Sequence, residues 1–417
     1  AADEWQQGTL PIRLQEETMI DGQKNVEGFP RRTFLMGMTG AAAAVTLTHS
    51  TASAASDGKK IRIGVVGGGF GTAFCWHEHP NCQVAAVSDL RADRRDRLVA
   101  RFQCDTVYES LEKLILDKTL DAVAVFTPAP DHVRHCTAVM NTGKHVISAV
   151  PAAMTLEDCQ KLIDTVKQTG MTYMMAETSY YRQESITARQ WFKEGKFGNL
   201  FYTETEYHHH VEPDNELNWY NGEKTWRYGY PPMLYPTHSL AFHVGITGER
   251  LTEVMCLGQR GTNIAEYQDN VYKNPFCNGT ALYKTTAGNA VRHTEFRYVA
   301  AGICERAQWY GDEMSFFMPT ATGFPGVLCR RGQKPEPFEQ PLYWQTDMLP
   351  EPLRHDSGHG GSHTFLTHEF ISALVEKRRP AVDVYEAVAY TSPGIVAHES
   401  SLKNGELLKI PDFGRGT

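Results

Sequence analysis

A chain of 417 residues with 41% hydrophobic content has room for two ordinary globular domains, each with its own core. Its formal net charge of −8 and the absence of any basic block exclude a nucleic-acid surface, because the arginines from Arg91 to Arg101 interleave with Asp93 and Asp96 on an expected solvated helix face. The nine cysteines are scattered without a C-x-x-C pair, which implies neither a zinc site nor a disulfide framework.

Residues 1–58 lack the patterning of a folded domain. Arg31 and Arg32 precede a short alanine-rich apolar run at 37–48, and Ala52-Ser53-Ala54 suits a signal peptidase. Paired arginines before such a segment point to a twin-arginine export signal, and so to a periplasmic or extracellular location. The run is too short and too rich in alanine to span a membrane.

From residue 59 to 177 the pattern is that of a Rossmann dinucleotide-binding domain. Residues 61–66 read as a buried strand running into Gly67-Gly68-Gly69-Phe70-Gly71 and then a helix. Glycines let the backbone turn tightly against a pyrophosphate, and a helix N-terminus offers it unpaired N–H groups. The turn formed by Gly67, Gly69, Phe70 and Gly71 is therefore the expected cofactor contact, although Thr72 occupies the third fingerprint position and Gly71 comes one residue early. A second strand at 83–88 ends at Asp89, where an acid accepts hydrogen bonds from the ribose hydroxyls of NAD. Arg91 leaves some room for the 2′-phosphate of NADP, but Asp89 would repel it, so NAD is favoured. Strands and helices then alternate to residue 176, which means a parallel sheet covered on both faces. Thr127 and Pro128 follow the end of one of these strands, where ligands bind in such sheets, and Asp131 reads as the N-cap of the next helix.

Residues 178–417 read differently. After a helix at 184–193 come long alternating segments at 201–209, 252–257, 281–298 and 306–317, followed by two helices from residues 364 and 385. Period-two patterning with hairpin turns implies a large, mostly antiparallel sheet with one open face. The expected fold class is α/β, with a substrate and oligomerisation domain whose open face makes a homodimer or homotetramer.

The glycine turn, Asp121-Ala122-Val123 leading to Thr127-Pro128, Gly143-Lys144-His145-Val146 and the closing 387–401 helix resemble the Gfo/Idh/MocA oxidoreductase family. Val150-Pro151-Ala152-Ala153, Tyr235-Pro236-Thr237-His238, Gly358-His359-Gly360-Gly361 and Asp383-Val384-Tyr385 are similar, more narrowly, to its NAD-dependent glycosidase branch, typified by α-N-acetylgalactosaminidases. The resemblance implies bound NAD, a sugar or glycoside substrate, and Pro151 beside the cofactor. Two departures stand out. Family dehydrogenases carry a proton-transferring lysine where this chain has Val150, and the glycosidase branch carries a glutamate where it has Ala149.

Proton chemistry must then come from other residues. His238 is the expected base, because imidazole titrates near neutrality. Tyr207 and His209 match a Tyr-x-His segment of the glycosidase branch and share one strand face, with Tyr235 and His359 as substrate contacts. No metal is expected: consecutive His208, His209 and His210 alternate faces on a strand, and His359 and His363 lie in a glycine-rich segment. The leading expectation is an NAD-dependent oxidoreductase acting on a ring hydroxyl of a sugar or glycoside. A glycosidase that recycles tightly bound NAD and a non-catalytic sugar-binding protein are the alternatives.

Overall fold

The computed structural model describes residues 60–212, 215–300 and 302–416. The proposed export signal lies outside the described residues. Among these residues, no helix is long and apolar enough to cross a membrane.

The first sheet is built from β1 (Ile61–Val66), β2 (Cys82–Ser88), β3 (Val107–Tyr108), β4 (Ala122–Val125), β5 (His145–Ser148) and β6 (Tyr173–Met175). All its pairings are parallel and the order is β3-β2-β1-β4-β5-β6, so the topology reverses between β1 and β4. A crevice for a dinucleotide opens at that point, outside the strands' carboxyl ends. The linking helices are α1 (Ala92–Phe102), α2 (Leu111–Leu114), α3 (His132–Asn141) and α4 (Leu156–Thr169). Thr155 caps α4 by accepting from the Asp158 N–H at 3.1 Å, and Gly170 ends it in the left-handed conformation.

Both faces of this sheet are dry, as the apolar runs require. Val123, Val125 and Val146 pack with residues of α2, α3 and α4, while Ile63, Val65, Ala122, Ala124 and Ile147 pack with α1 and with residues far along the chain. The latter belong to α7 (Gly358–Glu376), which lies on the first sheet. Its presence explains a difference from the sequence expectation. The helix expected after the glycine turn is only a 3-10 turn, Phe70–Ala73, followed by another at Trp76–Glu78. Phe74, Cys75 and Trp76 are consecutive and all buried, which a helix cannot achieve against one surface. They pack on α7 instead: Trp76 meets Phe370 edge-on, Phe74 stacks on His363, and the Cys75 N–H donates to Thr367 Oγ1 at 3.3 Å.

The second sheet contains β7 (Leu200–His208), then β10 (Leu251–Arg260), β11 (Phe276–Thr285), β12 (Ala290–Phe296), β13 (Cys304–Gly311), β14 (Met314–Phe317), β15 (Gly326–Arg330), β16 (Glu336–Phe338) and β17 (Leu408–Lys409). Between β7 and β10, β8 (Trp219–Tyr220) and β9 (Glu223–Lys224) form a separate hairpin. Only β7 and β12 pair in parallel; the other neighbours are antiparallel. Thr203, Thr205 and Tyr207 of β7 point inward, toward α5 (Gln183–Lys193), α6 (Thr237–Thr247) and α8 (Val384–Leu402). Glu204 and Glu206 face outward, bonded to Arg292, with Arg306 also on Glu206. Met255, Leu257 and Leu282 are exposed.

Gly67 and Gly143 both have positive φ, yet their surroundings differ. At Gly67 (φ +101°) a Cβ would lie 2.2 Å from the Phe126 carbonyl oxygen, whereas at Gly143 (φ +75°) it would meet nothing within 4 Å. Gly67→Ala is expected to lower unfolding free energy by about 2 kcal/mol or more, and Gly143→Ala by only about 1 kcal/mol. Denaturant melts of the two variants check this, and equal losses would contradict the role given to the turn.

Candidate functional site

The end of β1 is shaped as a phosphate cradle. Gly67 and Gly68 are held against backbone, since a Cβ on Gly68 would lie 2.3 Å from the Arg94 carbonyl oxygen. Asp89, buried at the end of β2, braces the turn by accepting from the Gly68 N–H at 2.7 Å and the Arg91 N–H at 2.8 Å. Gly69 is exposed, with the Arg94 guanidinium as its close neighbour, so the open side of the turn carries a positive charge. Tight glycine backbone, a cation and an acid at the end of β2, where this topology places the ribose, together fit NAD; the short 3-10 turn supplies little helix dipole. Further along the same edge, the ring nitrogens of His132 bridge the carbonyl oxygens of Thr127 (2.8 Å) and Pro151 (2.7 Å). This pins the chain after β4 to the chain after β5. Thr127 also engages His135 through its hydroxyl at 2.8 Å, and Pro128 follows directly.

The chemical cluster sits where the two sheets meet. His238 occupies the first turn of α6, a helix buried on every side. Its Nδ1 is 2.7 Å from Oε1 of Glu177, a fully buried carboxylate just past β6 that also accepts from the Ser179 N–H at 2.8 Å. Burial alone would disfavour the imidazolium, but the charge and hydrogen bond of Glu177 outweigh it and raise His238 above its ordinary value. With Nδ1 anchored, Nε2 makes no hydrogen bond among the described residues. Tyr207 stacks on the His238 ring at 4.8 Å and Tyr235 meets it edge-on at 5.3 Å. His209 stacks on Tyr207 at 5.9 Å, so the two candidates on this strand do share a face. His208 points the other way, to Thr294 on the open face.

Charges of both signs surround these rings. Arg297 lies 4.7 Å from the Tyr235 ring and 5.5 Å from the Tyr207 ring, and pairs with buried Glu295 at 3.4 Å. Glu305 takes two hydrogen bonds of 2.6 Å from Arg182; burial pushes its carboxyl up, but Arg182, His238 and Ser179 together hold it at about 2. Burial, then Arg297 and Arg227, lower His209 to about 4, which leaves it neutral near pH 7. Burial and neighbouring Tyr235 keep Tyr207 well above the usual phenol value, so it serves as a hydrogen-bond donor and not as a base.

His359 stands between cradle and cluster. Residues His359 to Gly361 break the start of α7 with positive φ, and the His359 ring lies edge-on to Phe70 at 5.9 Å. Its Nδ1 is 2.9 Å from His363 Nε2, so these histidines bond each other. The predicted residues thus form two groups, the cradle with Thr127 and Pro151, and the ring cluster around His238, with His359 and Phe70 between them. Sequence reasoning missed Glu177, Arg94, Arg297 and the Glu305–Arg182 pair. An acid directly after an apolar strand was a visible signal for Glu177; the others depend on strand register.

Glu177→Gln is expected to lower the His238 pKa. Activity that needs a neutral His238 rises as pH passes upward through that pKa, so its rising limb should move to lower pH while the plateau falls, because a less basic imidazole is a weaker proton acceptor. The pair's contribution to stability is full below the ordinary histidine value and disappears as pH rises through the raised one, and the variant should lose that dependence. Activity and melting profiles across pH check both, and profiles parallel to wild type would contradict the pairing.

Residues 61–177 match the Gfo/Idh/MocA family, described as an oxidoreductase family with an NAD-binding Rossmann fold, and residues 332–417 match the C-terminal domain of glycosyl hydrolase 109. Similar proteins include a glycosyl hydrolase family 109 protein of Solibacter usitatus, 27% identical and aligned over 85% of this chain and 89% of that one. Another, of Shewanella amazonensis, is 25% identical over 93% and 97%. In fold the chain is similar to a levoglucosan dehydrogenase solved with NADH and L-sorbose (TM-score 0.71, 16% identity, 85% of this chain and 100% of that one). It is similar also to an NAD-binding oxidoreductase of Klebsiella pneumoniae (TM-score 0.68, 16%, covering 84% and 99%). The glycine cradle braced by Asp89, with α7 packed against its Phe70, thus belongs to a chain that joins a Gfo/Idh/MocA NAD-binding Rossmann domain to a glycosyl hydrolase 109 C-terminal domain.

Proposed function

We propose that this enzyme oxidises a ring hydroxyl of a sugar or glycoside, with His238 as the base. The observation that carries the reading is the Glu177–His238 pair: Nδ1 is fixed by a buried carboxylate and Nε2 is left to take a proton, beside the walls of Tyr207 and Tyr235. Aromatic faces suit the apolar C–H faces of a pyranose ring, and the Tyr207 hydroxyl and neutral His209 suit its hydroxyl groups. NAD held at Gly67 to Gly71 and Asp89 would accept the hydride from the carbon whose hydroxyl His238 deprotonates. Val150 is buried and apolar, so no side chain at that position competes for the role.

A second reading is favoured by the match of residues 332–417 and by the names of the relatives. Here the oxidised sugar, acidified beside its new carbonyl, loses a proton and its glycosidic leaving group, adds water and is reduced again. Ala149 supplies no acid for this, which leaves neutral His209 as the group in the ring cluster able to take the second proton and the Tyr207 hydroxyl as a donor toward the leaving oxygen.

The two lines of the proposal separate cleanly. His238→Ala should reduce turnover by about 10²- to 10⁴-fold while NAD binding persists. Turnover within a few-fold of wild type would remove His238 from the chemistry. With glycosides in deuterated water, net NADH without exchange at the sugar C2 hydrogen supports simple oxidation, and cleavage with exchange supports the recycling route.

Two further proposals concern the protein's setting. Arg31-Arg32 and the apolar run after them support export by the twin-arginine route, and the exposed Met255, Leu257 and Leu282 support a homo-oligomer joined through the open sheet face. A cytoplasmic location in fractionated cells would refute the first, and a monomeric mass by light scattering the second.

A further inference from the structure

Residues 218–230 leave the second sheet and follow the carboxyl-terminal edge of the first. Their base is firmly held. Asn218, almost fully buried, donates to Glu266 Oε2 at 2.8 Å; the Tyr272 hydroxyl donates to the Trp226 carbonyl at 2.6 Å; and Asn274 donates to the Gly229 carbonyl at 3.1 Å. Trp219 and Tyr228 meet edge-on at 5.2 Å and keep the two limbs together. Between the limbs, Asn221 (φ +50°) and Gly222 (φ +80°) make the tight turn of the β8–β9 hairpin.

The segment touches the parallel sheet along one line. The Tyr230 hydroxyl lies 3.1 Å from Met154 Sδ, beyond β5. The charge of Arg227 acts on His132, which bridges the chain ends after β4 and β5. At the tip, the Arg91 guanidinium lies over the Tyr220 ring at 3.8 Å, beyond β2 and next to Asp89. No hydrogen bond, ion pair or ring contact joins the described segment to the glycine turn after β1, between these points. That line, from β5 past β4 and β1 to Asp89, is the one along which a dinucleotide lies in this topology. Arg227 forms no ion pair among the described residues, and its guanidinium rests on the Trp226 ring at 4.4 Å.

We propose that residues 218–230 form the outer wall of the cofactor site, with Tyr220 and Arg91 closing its adenosine end, so that bound NAD leaves only when this strap lifts. The proposal rests on the reading of the cradle as an NAD site and adds residues to it. An exposed guanidinium–ring contact is weak by itself. Here it joins the free end of a segment already fixed at its base, so a small contact decides whether the crevice is covered.

The test is nucleotide release from the full chain. NADH is bound, unlabelled NAD is added in excess, and the decay of energy transfer from protein tryptophan to NADH gives the dissociation rate. Tyr220→Ala should release NADH about two- to fivefold faster, while Tyr220→Phe, which keeps the ring, should release it at the wild-type rate. Arg91→Met should reproduce the acceleration, because it removes the guanidinium and leaves Asp89 in place. Tyr220 is 40% exposed, so circular dichroism and melting of its variants should match wild type. Wild-type release rates in Tyr220→Ala would overturn the strap and leave the cofactor reading standing. A wild-type protein that binds neither NAD nor NADH would overturn both.

Discussion

Glu177 is a fully buried carboxylate, and much of the molecule is arranged so that it is not left unpaired. An ionised group without partners in a protein interior costs several kcal/mol. Its Oε1 takes both partners, the Ser179 N–H and His238, while Oε2 has no hydrogen-bond partner among the described residues, and His238 can pair only if the first turn of α6 reaches the end of β6. α6 in turn fixes the second sheet, since His243 bonds Thr203 of β7 at 2.9 Å and the Trp309 indole donates to the Phe242 carbonyl at 2.7 Å. Tyr207 and His209 therefore arrive beside His238 as a consequence of satisfying one acid.

The same pair is the proposed substitute in this chain for the family lysine. That lysine would rise from the chain after β5, where Val150 is packed among apolar groups. The proposed base, His238, is instead held from the neighbouring strand end, β6, on a helix that packs against the other sheet. Of the charges around it, Arg182 is matched by two hydrogen bonds to Glu305, whereas burial pushes the Glu295 carboxyl well up, so it balances the Arg297 guanidinium 3.4 Å away only in part.

The parts of the chain that bury one face with a regular period were legible in the sequence. Five of the six strands of the first sheet, their alternation with helices, the inward face of β7 and the acid at Asp89 follow from runs, alternation and spacing; β3, only Val107–Tyr108, is too short to show a pattern. α6 was not legible, because its residues are buried all round and show no apolar stripe, and Pro236 before it looks like a break. The truncated helix after the glycine turn was hidden for another reason: the surface that replaces it comes from α7, some 290 residues along the chain by the Cys75–Thr367 bond. The β8–β9 hairpin carried a direct signal in Asn221-Gly222, a preferred pair for a two-residue turn, but its strands are too short for alternation to show. Glu177 and His238 were each visible as residues; their pairing was not, since 61 positions separate them.

One feature of the fold bears on how the molecule can move. The described residues form a single compact unit, in which α7 covers the first sheet and α6 and α8 knit it to the second. A clamshell enzyme admits its ligands by swinging two lobes about a hinge, and this architecture has no thin waist to serve as one. Access must come from breathing of surface segments over a rigid body, so the tempo of ligand exchange is set by local opening and leaves the spacing of Glu177, His238 and the glycine turn unchanged.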